Sequence, residues 1–298
     1  MKHNDAFSGC HPLVNLIYFL LVLLFTMFWM HPVSLGISLA ASFAYAVCLN
    51  GGKTVRLSLG CLLPMMAMAA LVNPAFSHRG ATILAYLPGG NPLTLESILY
   101  GLAAAVMLAA VILWFSCYTA VMTSDKFVYL FGRVIPALSL VLSMTLRFIP
   151  QFQARFRAVR EAQRCLGRDG EEGGALGRLQ NAVTSLSIVT TWSLENAIET
   201  ADSMRGRGYG LPGRTAFSIY RFDGRDKLLL SWLGGAGFYL LCGWMTGGLA
   251  WRYYPTVKGS LTGAFPISFQ LVYLALCLTP VILKGWEDWK WKHSPYGT

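Results

Sequence analysis

The chain has 298 residues, 55% of them hydrophobic and only 13% charged, with a mean hydropathy of +0.50 and a formal net charge of +10. Soluble domains carry about a quarter charged residues, so a water-solvated globular surface is excluded and lipid must cover much of this chain. Seven scattered cysteines make no C-x-x-C pair and no Cys/His cluster, which supports neither a disulfide framework nor a metal site, and no cofactor is expected.

A membrane crossing needs about 20 mostly apolar residues. Six stretches qualify in chain order: roughly 12–30, 33–49, 55–73, 97–123, 227–250 and 266–285. The first follows Lys2, but its apolar core from Leu13 to Met30 is too long for a signal peptide, so it is expected to stay as a span. His31-Pro32, Asn50-Gly51-Gly52 and the run from Leu87 to Pro92 are turn chemistry between spans. Trp251, Tyr253 and Tyr254, then Trp286, Trp289 and Trp291, stand at span ends where amphipathic rings settle. Gly52-Lys53-Thr54 looks like the tail of a phosphate-binding loop, but Val47 stands where that motif needs glycine, so the expectation is a plain turn. Glu96 opens the fourth span, where a carboxylate complements a helix N-terminus.

The apolar stretch 134–150 is short for a crossing. With six spans and an inner N-terminus, Arg79, Arg252 and Lys258 face outward and the other 21 of the 24 Lys and Arg face the cytoplasm. This split follows the positive-inside tendency, so 134–150 is expected to lie against the membrane or in a cytoplasmic bundle. Residues 147–227 then hold 13 basic and 9 acidic residues in 81 positions. Two cytoplasmic amphipathic helices can be drawn there. One, from about Phe152 to Leu166, carries Phe152, Phe156, Val159 and Gln163 on one stripe and Arg157, Arg160, Arg164 and Arg168 on another. The other, from about Ser185 to Arg205, carries Leu194, Ile198 and Ala201 beside the acids Glu195, Glu199 and Asp202, and a Gly-rich connector at 167–174 joins the two.

The fold class expected is therefore all-α and polytopic, with about six transmembrane helices plus that helix pair. It divides into a membrane region at 1–123, a cytoplasmic region at 124–226 and a second membrane region at 227–298. No catalytic constellation emerges: there is no G-x-S-x-G, no H-E-x-x-H and no paired carboxylate inside a span. The five histidines sit at termini or loops, and the spans carry almost no charge, so neither a proton path nor ion coupling is apparent. One Arg-Gly segment, Gly206 to Gly210, does not make a nucleic-acid binder, because the positive charge is accounted for by inner loops facing anionic lipid. A soluble partner is expected to supply the energy.

In these residues the chain resembles the transmembrane T component of energy-coupling factor (ECF) transporters. The segment Ala201-Asp202-Ser203-Met204-Arg205-Gly206-Arg207-Gly208-Tyr209-Gly210 follows that family's second arginine motif. Glu161-Ala162-Gln163-Arg164-Cys165-Leu166-Gly167 resembles the first, with Leu166 where the family has arginine and Arg164 or Arg168 nearby. The stretches Asn73 to Phe76, Thr94 to Ser97 and Leu146 to Pro150 are family-like as well. The resemblance implies a non-enzymatic coupling subunit of a bacterial importer for a vitamin or trace metal, with both termini cytoplasmic. Two ABC-type ATPase subunits would grip the coupling helices through Ala162, Gln163, Arg164, Arg168, Ala201, Met204, Gly206, Arg207 and Gly208. Their motion would pass to a small substrate-binding membrane subunit. The alternatives from other classes are a membrane-embedded enzyme acting on a phospholipid or isoprenoid, with the arginines of 147–168 holding phosphate, and a self-sufficient secondary carrier.

Overall fold

A computed structural model of the chain describes residues 6–77, 80–86, 92–132, 135–167, 174–211, 220–247, 250–259 and 263–293. It divides into two compact units, Met1–Thr123 with Tyr220–Thr298, and Ser124–Ile219.

The first unit holds helices α1 (Pro12–Phe28), α2 (Pro32–Asn50), α3 (Gly52–Leu57), α4 (Leu63–Phe76) and α5 (Leu95–Val121), then α9 (Gly224–Met245) and α10 (Ala264–Lys292). Strands β1 (Ile83–Tyr86) and β2 (Pro92–Thr94) lie between α4 and α5, and the second unit contributes α6 to α8. Five stretches are long and apolar enough to cross a bilayer: Pro32–Asn50, Gly52–Phe76, Leu95–Val121, Gly224–Met245 and Phe265–Lys290. Helix α1, at 17 residues, is shorter. It still reaches about 26 Å and completes the six expected crossings of an all-α polytopic membrane fold.

Local chemistry sets the helix ends. His11 and His31 are each followed by proline at the first helical position, and each imidazole Nδ1 accepts from the backbone two residues on, at 3.2 Å from Leu13 and 3.3 Å from Val33. Of the turn expected at Asn50-Gly51-Gly52-Lys53-Thr54, only Gly51 is a turn, with φ +57°; Gly52, Lys53 and Thr54 are instead the first turn of α3, and Thr54 Oγ1 donates back to Ala46 O at 2.9 Å. A π-helical turn at Ser58–Leu62 interrupts the third crossing between α3 and α4.

Contacts at the helix ends sort into two groups. At one end Tyr253 Oη donates to Met30 O at 2.7 Å, and Ala81 N donates to Pro255 O at 3.1 Å. Burial pushes the Tyr253 pKa up to about 12, which keeps that donor protonated. At the other end His11 N donates to Asp226 Oδ1 at 3.0 Å, and Lys284 Nζ donates to Cys48 O at 2.7 Å, satisfying a carbonyl in the last turn of α2.

Two features of this unit were not visible in the sequence. Residues 87–91, expected as a turn, lie outside the described residues, but their flanks β1 and β2 pair antiparallel as a hairpin. Glu96 does more than start α5: its buried carboxylate accepts from Thr82 N and, at 2.9 Å, from Thr82 Oγ1, fastening the hairpin to the helix. Gly80 passes so close that an added Cβ would lie 2.5 Å from Glu96 Oε2.

Tyr18, Phe19, Tyr45 and Trp114 form a buried aromatic group, meeting mostly edge to face, and the buried Tyr273 meets Phe25 edge to face. A polar group in lipid needs a protein partner. Here Thr26 Oγ1 meets Ser38 Oγ at 2.8 Å and Tyr273 Oη at 2.9 Å, while Trp114 Nε1 donates to Ser38 Oγ at 3.0 Å. One uncharged network thus ties α1, α2, α5 and α10 together.

The second unit holds α6 (Ser124–Gly132), α7 (Pro136–Cys165) and α8 (Gly174–Gly206). Two expectations are corrected here. Residues 136–150 of the short segment and the helix from Phe152 are one continuous helix, which runs through Pro150. Proline inside a helix removes one ladder hydrogen bond, yet Phe148 and Phe152 stack across it with ring centroids 5.8 Å apart. The second helix starts at Gly174, about three turns earlier than residue 185.

Candidate functional site

The helices α7 and α8 pack through stripes at helical spacing. On α7 the expected apolar stripe, Phe152, Phe156, Val159 and Gln163, is half-buried, while Arg157, Arg160 and Arg164 are exposed. On α8 the covered face is Ser185, Val189, Trp192, Asn196, Thr200 and Met204, at steps of three and four. Leu194, Ile198 and Ala201 share a face as expected, but that face is open. Leu176, Leu179, Val183 and Leu186 extend it toward the helix start, all exposed.

Hydroxyl chemistry explains why a polar-looking face packs. On the covered side, Ser185 and Ser193 each donate to the carbonyl four residues earlier, at 2.8 and 2.6 Å. Their polar atoms are satisfied inside the helix, leaving carbon outward. The contact between the helices centres on Trp192, which meets Phe152 edge to face at 6.2 Å, with the Arg155 guanidinium 4.6 Å from its ring centre. Arg155 is a positioning residue that the arginine stripe did not include. Its signal was available: it lies one turn beyond Phe152, on the side from which the only tryptophan of 136–206 approaches.

Both helices stop by the same device. At the end of α8, Gly208 turns left-handed at φ +80°, Gly208 N donates to Arg205 O at 3.0 Å, and Tyr209 N donates to Met204 O at 3.0 Å. These two bonds make a complete Schellman cap. At the end of α7, Gly167 has φ +74° and its N–H donates to Arg164 O at 2.9 Å. Aligning the caps puts Gly167 on Gly208, Leu166 on Arg207, Arg164 on Arg205, Gln163 on Met204 and Ala162 on Ser203. Leu166, 69% exposed, therefore holds the place that Arg207 has in the second helix. Arg164, two residues earlier, points about 160° away around the helix. Arg168 would follow the cap glycine and lies outside the described residues.

The other expected site residues lie at the last turns of α7 and α8. Ala162, Ala201, Gly206 and Arg207 are exposed, and Gln163, Met204 and Gly208 are half-buried beside them. The Arg207 guanidinium has no carboxylate partner among the described residues. Phe152, Arg155 and Trp192 lie near the middle of their helices, with Cys165 about 15 Å beyond Arg155 and Gly206 about 21 Å beyond Trp192 along the helix axes. Among the described residues no group of three or more His, Cys, Asp or Glu could hold a metal ion.

Relatives of the chain are membrane components of transporters. An energy-coupling factor transporter transmembrane protein EcfT from Lactobacillus helveticus is 31% identical over 115 residues, covering 38% of this chain and 40% of the relative. EcfT of Lactococcus lactis is 34% identical over 94 residues, covering 31% and 35% of the two chains. EcfT 1 of Listeria monocytogenes is 34% identical over 92 residues, covering 30% and 35%. The chain thus spans well under half the length of these curated relatives. The family described as cobalt transport protein, CbiQ, matches residues 4–217. With more than two thirds of its length matched, and with a bundle of apolar crossings followed by two capped helices, the chain belongs to the CbiQ family.

Proposed function

We propose that this protein is the transmembrane coupling subunit of an ATP-driven ECF importer, carrying motion from two ABC-type ATPase subunits to a small membrane subunit that binds a vitamin or trace metal. The observation that carries this reading is the pair of matching capped ends, one presenting Arg207 next to a left-handed glycine. An exposed arginine without an acidic partner offers a planar fork of donors to a carboxylate or to backbone carbonyls. The glycines on either side let another backbone come close. Two ends suit two ATPases, one on each. The open apolar ladder of α8 gives the partners a surface to cover, since exposed apolar patches of this kind mark interaction sites.

In this reading the chain lies in the bacterial cell membrane with both termini and the second unit in the cytoplasm, ATP is hydrolysed in the partners, and this chain is not an enzyme. Deleting 147–210 should abolish copurification of nucleotide-binding subunits, identified by mass spectrometry after gentle detergent extraction, while the remaining helices still insert. ATPases that stay bound would place the interface elsewhere. A cysteine introduced beside Gly173 should resist impermeant thiol reagents added outside intact cells, and labelling there would reverse the topology.

A further inference from the structure

We propose that β1 is a lipid anchor: it lies in the headgroup layer at its end of the bundle, with Ile83, Leu84 and Tyr86 covered by the bilayer rather than by water. The site belongs to the membrane unit, so it is independent of the coupling helices and of which side of the membrane this end faces. Connectors that run in water are ordinarily polar, but from Gly80 to Leu95 the sequence holds no charged residue. All four side chains of β1 are exposed, on both faces of the strand, with Tyr86 at 69%. A strand with water on one face alternates apolar and polar side chains, and Ile83-Leu84-Ala85-Tyr86 does not.

The neighbouring helix sets the depth. The large apolar side chains that α5 exposes are Leu95, Ile98, Leu99, Leu102, Leu108 and Phe115. From Leu95 to Phe115 the helix rises about 30 Å, the thickness of the hydrocarbon core. Leu95 therefore marks one boundary of the hydrocarbon. Ile83 stands opposite Thr94, Leu95 N donates to Thr82 O at 3.1 Å, and the Glu96 carboxylate holds Thr82, so β1 begins at that boundary. The end of α4 is fixed at the same level: Ser97 Oγ donates to Ser77 O at 2.6 Å, and the preceding Phe76 is 82% exposed. The backbone then decides on which side of the boundary the strand lies. β1 pairs with β2 in a two-stranded sheet, and the groups along its other edge need water, which hydrocarbon lacks. The headgroup layer, about 5–8 Å deep on each side, offers water to that edge and acyl chains to the side chains. It is also where tyrosine rings settle. Four residues of strand are about 13 Å long, so β1 lies along this layer rather than across it. A second membrane protein would also suit an apolar strand, but the match between the strand's level and the hydrocarbon boundary calls for lipid alone.

The test places a nitrobenzoxadiazole fluorophore on Ala85→Cys of the full-length protein, with the exposed Cys48, Cys61 and Cys165 and the half-buried Cys242 changed to alanine. The protein is held alone in phosphatidylcholine nanodiscs. Quenching by lipid brominated near the ester end of its chains is compared with quenching by aqueous iodide. Covering one apolar side chain of this size favours its site by about tenfold or more. Brominated lipid should therefore quench strongly, and iodide should quench at least about tenfold less than it quenches the free fluorophore in buffer. The variant I83S/L84S/Y86S with the same label should lose lipid quenching and regain iodide quenching, because the native side chains and not the fluorophore hold the strand in place. Tyr86→Ser alone should move both signals in the same direction, and it serves where the triple variant is not folded. Iodide quenching equal to that of the free fluorophore would place β1 in water. Protection from both quenchers would mean that protein covers it, and lipid quenching unchanged in the folded variants would assign the insertion to the fluorophore. Each of these results overturns the proposal.

Discussion

The two units spend their apolar residues in opposite ways. In the membrane unit the largest side chains, Trp114, Tyr18, Tyr45 and Tyr273, are fully buried, and the hydroxyls among them answer one another. In the unit of α6 to α8 only a few side chains are buried, and leucines line an open face of α8. Lipid explains exposed apolar residues on the first unit, such as Leu71 and Phe76, because hydrocarbon is their solvent. It does not explain those on a helix that also carries Glu195, Glu199 and Asp202. The membrane unit buries its largest side chains within itself, whereas the unit of α6 to α8 leaves an apolar face of α8 open.

Variants can break this contrast, and the largest effect is expected at the open end. Arg207→Ala should lower ATP-driven uptake of the vitamin or metal, and partner ATP hydrolysis, by more than tenfold. Truncating one member of a buried charge pair costs about 2–5 kcal/mol, and about 1.4 kcal/mol is tenfold. The thermal midpoint of the membrane unit should not move. Normal uptake would reduce Arg207 to a cation that complements a helix end. Ser38→Ala attacks the closed unit instead: Trp114 Nε1 loses its acceptor, at about 1–3 kcal/mol, which should lower the midpoint measured in detergent by several degrees. An unchanged midpoint would mean that packing alone closes that unit. Trp192→Ala removes the Phe152 and Arg155 contacts, worth about 1–2 kcal/mol together, and should speed limited proteolysis within 136–206 without touching the midpoint. The smallest effect belongs to the first capped end. Arg164→Ala should reduce uptake less than Arg207→Ala does, and Leu166→Arg should raise ATPase affinity by restoring a cation at the cap. A severe loss with Arg164→Ala, equal to that of Arg207→Ala, would mean that Arg164 serves the first end in full.

What could be read directly from the residues was local. The crossings followed from runs of apolar residues, the breaks from Gly51 and His31-Pro32, and the two helix stops from Gly167 and Gly208, whose left-handed turns need only neighbouring carbonyls. The rest depended on groups far apart in the chain. The β1–β2 hairpin needs Ile83 opposite Thr94. Pro150 looks like a stop, and only the packing on either side carries α7 through it. The face of α8 that packs could not be chosen by hydropathy. Leu194 and Ile198 outscore Ser185 and Trp192, but the hydroxyls of Ser185 and its neighbours turn inward and the tryptophan finds Arg155. The residues leave Arg164 and Arg168 as candidates for the first motif's arginine; counted from the cap glycines, Arg164 corresponds to Arg205 and Leu166 to Arg207.

The meeting of α7 and α8 near their midpoints has a mechanical consequence. The ring and guanidinium contacts of Trp192 with Phe152 and Arg155 lie near the middle of both helices, and each capped end lies well beyond them. For α8 that lever arm is about 21 Å, so a scissoring of about 10° sweeps Arg207 through about 4 Å. A displacement of that size is larger than the about 1–2 Å helix shifts common at interfaces and short of a one-turn ratchet of about 5.4 Å. It needs neither helix to unfold, and no Schellman hydrogen bond to break. A pair pinned along its whole length would resist such a stroke, and a pair joined only by its connector would not transmit one.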